Sequence, residues 1–579
     1  MKVNESLPRE LRGIQGAEIY THGHLPAAAA YCRRLGLVEL VNQLVPSQMH
    51  LQPGLLVQAM VLDTLSGRTP LYRLQQFMEE QDRELLLGDS VPASAFNDSN
   101  LARGLDALFN AGPSRIVTEV GIEAVKQFKL DTSAVSYDTT STSVWGDYLR
   151  CEDENPPPGS VITEGHSKDH RPDLKQFMTE LLCVDRGVPI FGQTLDGNSS
   201  DKTSNNRILS RISSLMARHG LGPGAFVYVA DSAMVTEANL EVIGTKPFIS
   251  RLPATYNECR RAIDVAVDSG VWTDLGVLAE NTTTSKRPSA VYKVFETTVE
   301  LYGRPYRALV VHSSAHDKRR QKKLDKAIGA SAMEISNELS QLTTVYYCEA
   351  DAIAALKKAE AMSSKLHNVE ASIIPFEVRK PGRPPVNRPA STTTRYRLSW
   401  ELLLDNEAVK REREIAGCFV LLSSVPDDGK DGMDGRALLR TYKGQYGVES
   451  DFAFLKDPLV VNDVFIKSPH RIDALGMILI IALIIWRLME RTMRAHLQNE
   501  GKTIEGWDRK QTIKPTSFMM TTALIGITVI LIKNRRTLLC QSTLRQLDFL
   551  EALGLTKEVF LDSRFKCNPI IPQEMVRSG

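Results

Sequence analysis

Glu449 stands in a stretch, Leu438 to Lys456, that lacks proline and sets apolar residues at Leu439, Val448, Phe452 and Leu455. That pattern predicts one helix despite Gly444 and Gly447. At about 100° per residue, Tyr442, Gln445, Glu449 and Lys456 fall within roughly a 60° arc of such a helix. One face would then carry a carboxylate flanked by an aromatic ring, an amide and an ammonium. The competing reading is a set of solvated surface charges.

Two aspartates upstream could join Glu449. Asp138 interrupts the Thr-, Val- and Tyr-rich run Ala134 to Ser143, which reads as a strand in which aspartate is disfavoured. Asp231 directly follows Ala225 to Ala230, a short apolar run expected of a strand buried in an α/β sheet. Ligands of open α/β sheets gather at the carboxyl ends of strands, where Asp231 would lie. An exposed edge position for Asp138, and a cap for a helix over Met234 to Ile243 for Asp231, are the structural alternatives. Three such acids suit two hard divalent cations, Mg²⁺ or Mn²⁺, which take phosphate oxygens as further ligands. Ions about 3.5 to 4 Å apart activate a water or a 3′-hydroxyl and stabilise the leaving oxygen of a phosphodiester.

With these residues in place, the chain resembles a DDE insertion-sequence transposase with a ribonuclease-H-like core. The resemblance rests on Tyr137 to Ser141, on Val229 to Ser232, and on a C-terminal Tyr, Arg, Glu, Lys signature whose spacing is kept by Tyr442, Glu449 and Lys456. Gln445 stands where arginine is usual, which replaces a bidentate cationic fork with an amide. Gly165 to Gln176, Asp196 to Asp201, and Phe454 to Pro458 resemble further motifs of a long-chain subgroup, so the likeness spans about residues 25 to 535.

The resemblance implies that Asp138, Asp231 and Glu449 bind two Mg²⁺ (or Mn²⁺) ions. It implies that Tyr442, Gln445 and Lys456 position DNA, and that the reaction nicks element ends and then transfers the freed 3′-hydroxyl to target DNA. Double-stranded DNA at terminal inverted repeats and target is the implied partner, bound by a homodimer. A ribonuclease-H-like nuclease without strand transfer and a catalytically inactive DNA-binding protein are the alternatives.

The whole sequence is compatible with this. At 579 residues it accommodates three or four domains, and 70 basic against 69 acidic residues leave a formal charge of +1, so DNA affinity must come from local patches. Eight scattered cysteines form no Cys-x-x-Cys pair, which argues against a zinc site or disulfide framework. The start, Met1 to Pro8, lacks the apolar core of a signal peptide, and a cytoplasmic, nucleoid-associated protein is expected. The apolar runs 474–486 and 517–532 are shorter than the roughly 20 residues of a spanning helix and are expected as buried helices over the sheet, with no membrane role. No phosphate-binding loop or Gly-x-Ser-x-Gly elbow is complete.

The expected class is α/β, a ribonuclease-H-like mixed sheet flanked by helices, with an inserted α+β domain and a helical N-terminal domain. The expected segments are 1–115 (helical, terminal-repeat binding), 130–254 (first part of the core), 255–410 (insertion), 411–545 (second part of the core) and 546–579 (tail). Within the insertion, Ser289 to Phe295 and Tyr306 to His312 read as strands and Ala315 to Leu366 as charged helix. Arg379 to Pro385 resembles an AT-hook, with Arg379, Lys380 and Arg383 set for the minor groove of A·T-rich DNA. From 379 to 397 there are six basic residues and no acidic one.

Overall fold

The computed structural model describes residues 17–568 and 570, apart from 68–72, 146–147, 149–157, 169–170, 186, 223–224, 279–288, 316, 343, 380, 382–391, 430–431 and 458–467. It is a mixed α/β protein whose contacts divide it into two compact units, Met1–Ser250 with Thr441–Gly579, and Arg251–Arg440.

The first unit begins with β1 (Glu18–Thr21), α1 (Leu25–Leu35), α2 (Leu37–Leu44), α3 (Pro53–Leu65), α4 (Leu74–Glu79), α5 (Arg83–Leu87), α6 (Asp98–Ala111) and α7 (Pro113–Phe128). Helical periodicity over Leu25 to Val45 resolves into two helices because Gly36 adopts φ 64°, and its N–H bonds back to the carbonyls of Cys32 and Arg33. Helix α3 starts at Pro53 and is buried on every side. The sheet follows as β2 (Ala134–Val144), β3 (Lys175–Val184), β4 (Val188–Leu195), α8 (Asp201–Arg218), β5 (Val227–Ala230), α9 (Glu237–Ile243) and β6 (Phe248–Arg251). Its order is β4-β3-β2-β5-β6; β3 is antiparallel to β2 and β4, whereas β5 is parallel to β2 and β6. Nine of ten β3 residues and all four of β5 are buried, as expected of strands covered on both faces.

The second unit comprises α10 (Asn257–Ser269), β7 (Thr273–Val277), β8 (Val291–Leu301), β9 (Arg304–Ser313), α11 (Asp317–Ser340), β10 (Val345–Tyr346), α12 (Glu349–Glu360), β11 (His367–Arg379), β12 (Thr392–Leu404), α13 (Asn406–Ala416), β13 (Cys418–Ser423) and α14 (Gly435–Lys443). Strands β13-β9-β8-β7 run antiparallel, and β10-β12-β11 form a separate antiparallel sheet packed on α11 and α12 through Leu339, Ala359, Val369 and Leu398.

The first unit is completed by α15 (Tyr446–Leu455), α16 (Pro469–Glu500), β14 (Ile504–Glu505), β15 (Gln511–Thr512), α17 (Ser517–Ala523), β16 (Thr528–Ile532), β17 (Arg535–Leu538) and α18 (Leu544–Ala552). Helix α16 contains the first apolar run and packs against β4, α1, α3, α6 and α7. It is long and apolar enough to cross a membrane, but 94% of its most apolar window is buried inside the protein. The second run corrects the expectation of a helix: only 517–523 is helical, Gly526 turns the chain at φ 81°, and the β-branched residues of 528–532 form β16 between β1 and β17. Salt bridges of Arg536 to Asp82 and Glu84, and a bond from the Tyr31 hydroxyl to the Leu553 carbonyl, join the two ends of the chain in this unit.

Candidate active site

Strand alternation places Asp138 of β2 on the face opposite Tyr137 and Thr139. In the parallel pairing of β2 with β5, Tyr137 is opposite Ala230, so Asp138 and Asp231 occupy the next step of the same register. Strand β5 ends there, and the Asp231 carboxylate accepts from the Ala233 N–H at 3.0 Å, capping the short turn at 232–234. The helix expected over Met234 to Ile243 starts later, at Glu237, behind its own cap Thr236.

Two further charged groups complete the surroundings. The Lys168 ammonium donates to the Thr139 carbonyl at 2.5 Å and the Thr139 hydroxyl at 3.1 Å, and lies 3.3 Å from Asp201 and 4.0 Å from Asp138. Asp201 opens α8 and accepts from the Thr139 hydroxyl. Neither Lys168 nor Asp201 stands out in the sequence by itself, although they lie in the segments Gly165–Gln176 and Asp196–Asp201. What the sequence lacked was the pairing that folds both segments back to β2.

Burial pushes the Asp138 carboxyl up to about 7; Lys168 pulls it down, and the negative charges of Asp231 and Asp201 add to the rise. Asp231 is raised too, chiefly by burial. Such a pair favours either protons or a cation. The sign for stability follows directly. Between pH 4 and pH 7 the folded state holds a proton on Asp138 that the unfolded chain has released, so stability falls as pH rises through that window. A fifth of the Asp138 side chain still meets solvent, which limits the penalty. Asp138→Asn is therefore expected to stabilise the protein by about 1–3 kcal/mol at pH 8 and to change little at pH 4. Thermal unfolding at the two pH values checks this; an equal effect at both would refute the burial argument.

The expected single helix carrying Tyr442, Gln445, Glu449 and Lys456 is corrected by the structure. Helix α14 ends at Lys443 and α15 begins at Tyr446. Between them Gly444, Gln445, Gly447 and Val448 each donate three residues back, to Thr441, Tyr442, Gly444 and Gln445, in a tight turn that breaks the 100° progression. Tyr442 thus belongs to α14, Gln445 is buried at the junction, Glu449 is exposed on α15, and Lys456 is half-buried at its end.

Helix α15 packs on β2 and β3. Its buried Asp451 binds Arg487 of α16 and accepts from the Cys183 thiol of β3 at 3.4 Å. At its start, the turn after β3 brings Gly187, at φ 124°, against the Gly447 backbone, where an added Cβ would lie 3.1 Å from the Gly447 Cα. Gly187→Ala combines backbone strain with this close approach and is expected to cost about 1–3 kcal/mol. Loss of hydrogen-exchange protection in α15 is the local signature; an unchanged helix would rule out the contact as its anchor.

Asp138 and Asp231 thus come together, and Glu449 lies outside the pair on the neighbouring helix. Among the described residues, no three His, Cys, Asp or Glu side chains form a group able to hold a metal ion. The two-carboxylate pair fits a hard divalent cation by its oxygen donors and raised proton affinity. Of the other DNA-contact residues expected from the sequence, Arg379 ends β11, whereas Lys380 and Arg383 lie outside the described residues.

Residues 17–122 match a family model described as a Domain of unknown function (DUF4277). That domain is commonly found in transposase-like proteins. The match covers β1 and the N-terminal helices, ahead of both aspartates. None of the curated proteins matches the chain.

Proposed function

We propose that the protein is a DDE transposase of a prokaryotic insertion sequence, acting on double-stranded DNA by metal-dependent cleavage of element ends and 3′-hydroxyl strand transfer. The observation that carries this reading is the side-by-side placement of Asp138 and Asp231 on parallel strands β2 and β5. The strand order, three antiparallel strands followed by two parallel ones, supports a ribonuclease-H-like core. The match of the N-terminal helices to a domain common in transposase-like proteins adds to it.

In this reading Asp138 and Asp231 would hold Mg²⁺ or Mn²⁺, and Glu449, which the structure leaves outside the pair on the neighbouring helix, is the third acid that the resemblance implies. The bound ions supply Lewis-acid stabilisation of the phosphodiester oxygens. The chain's own residues do the rest: Lys168 holds the Thr139 carbonyl and Asp201 the Thr139 hydroxyl beside Asp138, and Tyr442 and Gln445 ahead of Glu449, with Lys456 beyond it, position the DNA strand. A homodimer holding two ends in the nucleoid-associated cytoplasm is part of the proposal.

The test is Mg²⁺-dependent cleavage and joining of an oligonucleotide carrying the flanking inverted repeat, comparing the native chain with Glu449→Gln. Cutting and joining by the native protein alone supports the proposal. Cleavage of pre-cut or uncut ends without joining favours a nuclease, and equal activity of the variant removes Glu449 from the site.

A further inference from the structure

The sheet β10-β12-β11 is covered on one face only. Leu398, Trp400 and Leu402 of β12, with Val369 and Ala371 of β11, point toward α11 and α12. Strand alternation turns Arg395 and Arg397 of β12 to the other face. The registers Tyr346↔Tyr396 and Phe376↔Arg395 then set Arg395 between Phe376 of β11 and Tyr347, the residue that follows β10, with Arg397 beside Ile374 in the next row.

The side chains are organised on that open face. The Arg395 guanidinium lies 4.5 Å over the Tyr347 ring, and that of Arg397 lies 5.1 Å over Phe376. Tyr347 is 74% exposed and Ile374 49% exposed. Among the described residues, neither arginine forms an ion pair. Each guanidinium thus lies over an aromatic ring, and no ion pair among the described residues takes up its N–H donors. The acids of this face, Glu370 opposite Glu401, lie at the far end of the hairpin from Arg395. A solvated ladder would need neither arginines set over rings nor the exposed ring of Tyr347.

We propose that this face binds a single DNA strand, its phosphates on Arg395 and Arg397 and its bases stacked against Tyr347 and the neighbouring ring. Flat aromatic platforms interleaved with cations suit unpaired bases, whose π faces a duplex hides. The inference deepens the transposase reading by naming a strand-holding surface remote in sequence from the acids, and it rests on that reading only for the origin of the strand.

The experiment is fluorescence anisotropy with a labelled 20-nucleotide oligo-dT and a 20-base-pair duplex, on the full chain in EDTA, so that cleavage plays no part. For Arg395→Ala with Arg397→Ala, oligo-dT affinity is expected to fall at least about tenfold, and the salt slope to shrink by about 1.4, the value for two phosphates on a single strand. Tyr347→Ala is expected to weaken oligo-dT at least about fivefold. Arg397→Lys, which keeps the charge but loses the planar fork, should leave the salt slope unchanged and weaken oligo-dT less than Arg397→Ala does, and unchanged melting temperatures would show that the variants are folded. Unchanged oligo-dT affinity and salt slope in the double variant would overturn the proposal while leaving the acid site standing. Absence of oligo-dT binding by the native chain would also overturn it, and loss confined to the duplex would do the same.

Discussion

Asp138→Asn and Asp231→Asn are each expected to reduce Mg²⁺-dependent strand cleavage by roughly a thousandfold, equivalent to about 4 kcal/mol of transition-state stabilisation. Asparagine keeps the shape of aspartate and one acceptor oxygen but removes the charge that a hard cation requires. The same substitution relieves the repulsion between two buried carboxylates, so activity and stability move in opposite directions for Asp138. A merely structural aspartate would lose both together. End binding in EDTA should be unchanged in both variants, because the loss lies in cation-dependent chemistry. Cleavage within tenfold of the native rate in either variant would remove that residue from the proposed site.

A second large effect is expected from Arg487→Leu. Asp451 is fully buried on α15, and Arg487 is its counter-ion, bridging also to Glu490, whose other carboxylate oxygen accepts from the Ser517 N–H at 3.2 Å. Burial already raises the Asp451 carboxyl, and Arg487 pulls it back. Removing the arginine leaves a buried, unpaired carboxylate at an expected cost of about 3–5 kcal/mol. The penalty shrinks as pH falls, because the carboxyl then takes a proton. Arg487→Leu should therefore melt earlier at pH 8 than at pH 5, relative to the native chain at each pH. Combining it with Asp451→Asn should recover part of the loss, and hydrogen exchange in α15 should rise first. A pH-independent loss would show that packing, not charge, carries the contact.

Local patterns in the sequence reached the local elements well. The β-branched run around Asp138, the apolar run before Asp231, and the strand runs Ser289 to Phe295 and Tyr306 to His312 all have short-range causes, and the structure has strands there. The parallel register that sets Asp138 beside Asp231 is a contact across 93 positions (231 minus 138), which no periodicity encodes. For the same reason neither Lys168 nor Asp201 stands out in the sequence: each is an ordinary charge until the fold brings it to Thr139 of β2. The turn between Lys443 and Tyr446 is hidden for a different reason. Two glycines allow a change from four-residue to three-residue hydrogen bonding without disturbing the apolar spacing, so the helical pattern persisted where the helix did not. The run 517–532 is mostly apolar, broken only by Ser517, Thr521, Thr522, Gly526 and Thr528, and such runs do not distinguish helix from strand.

Helix α16 supplies core to the N-terminal helices and to β4, yet Pro469 follows Ser250 by 219 positions (469 minus 250). At roughly 5–20 residues per second of synthesis, the first 250 residues wait about 10–45 s for the helix that covers them. During that interval their apolar surface depends on the chaperone capacity of the cell. A gene copy truncated before codon 469 would thus yield a chain that aggregates or is degraded, not a stable folded fragment.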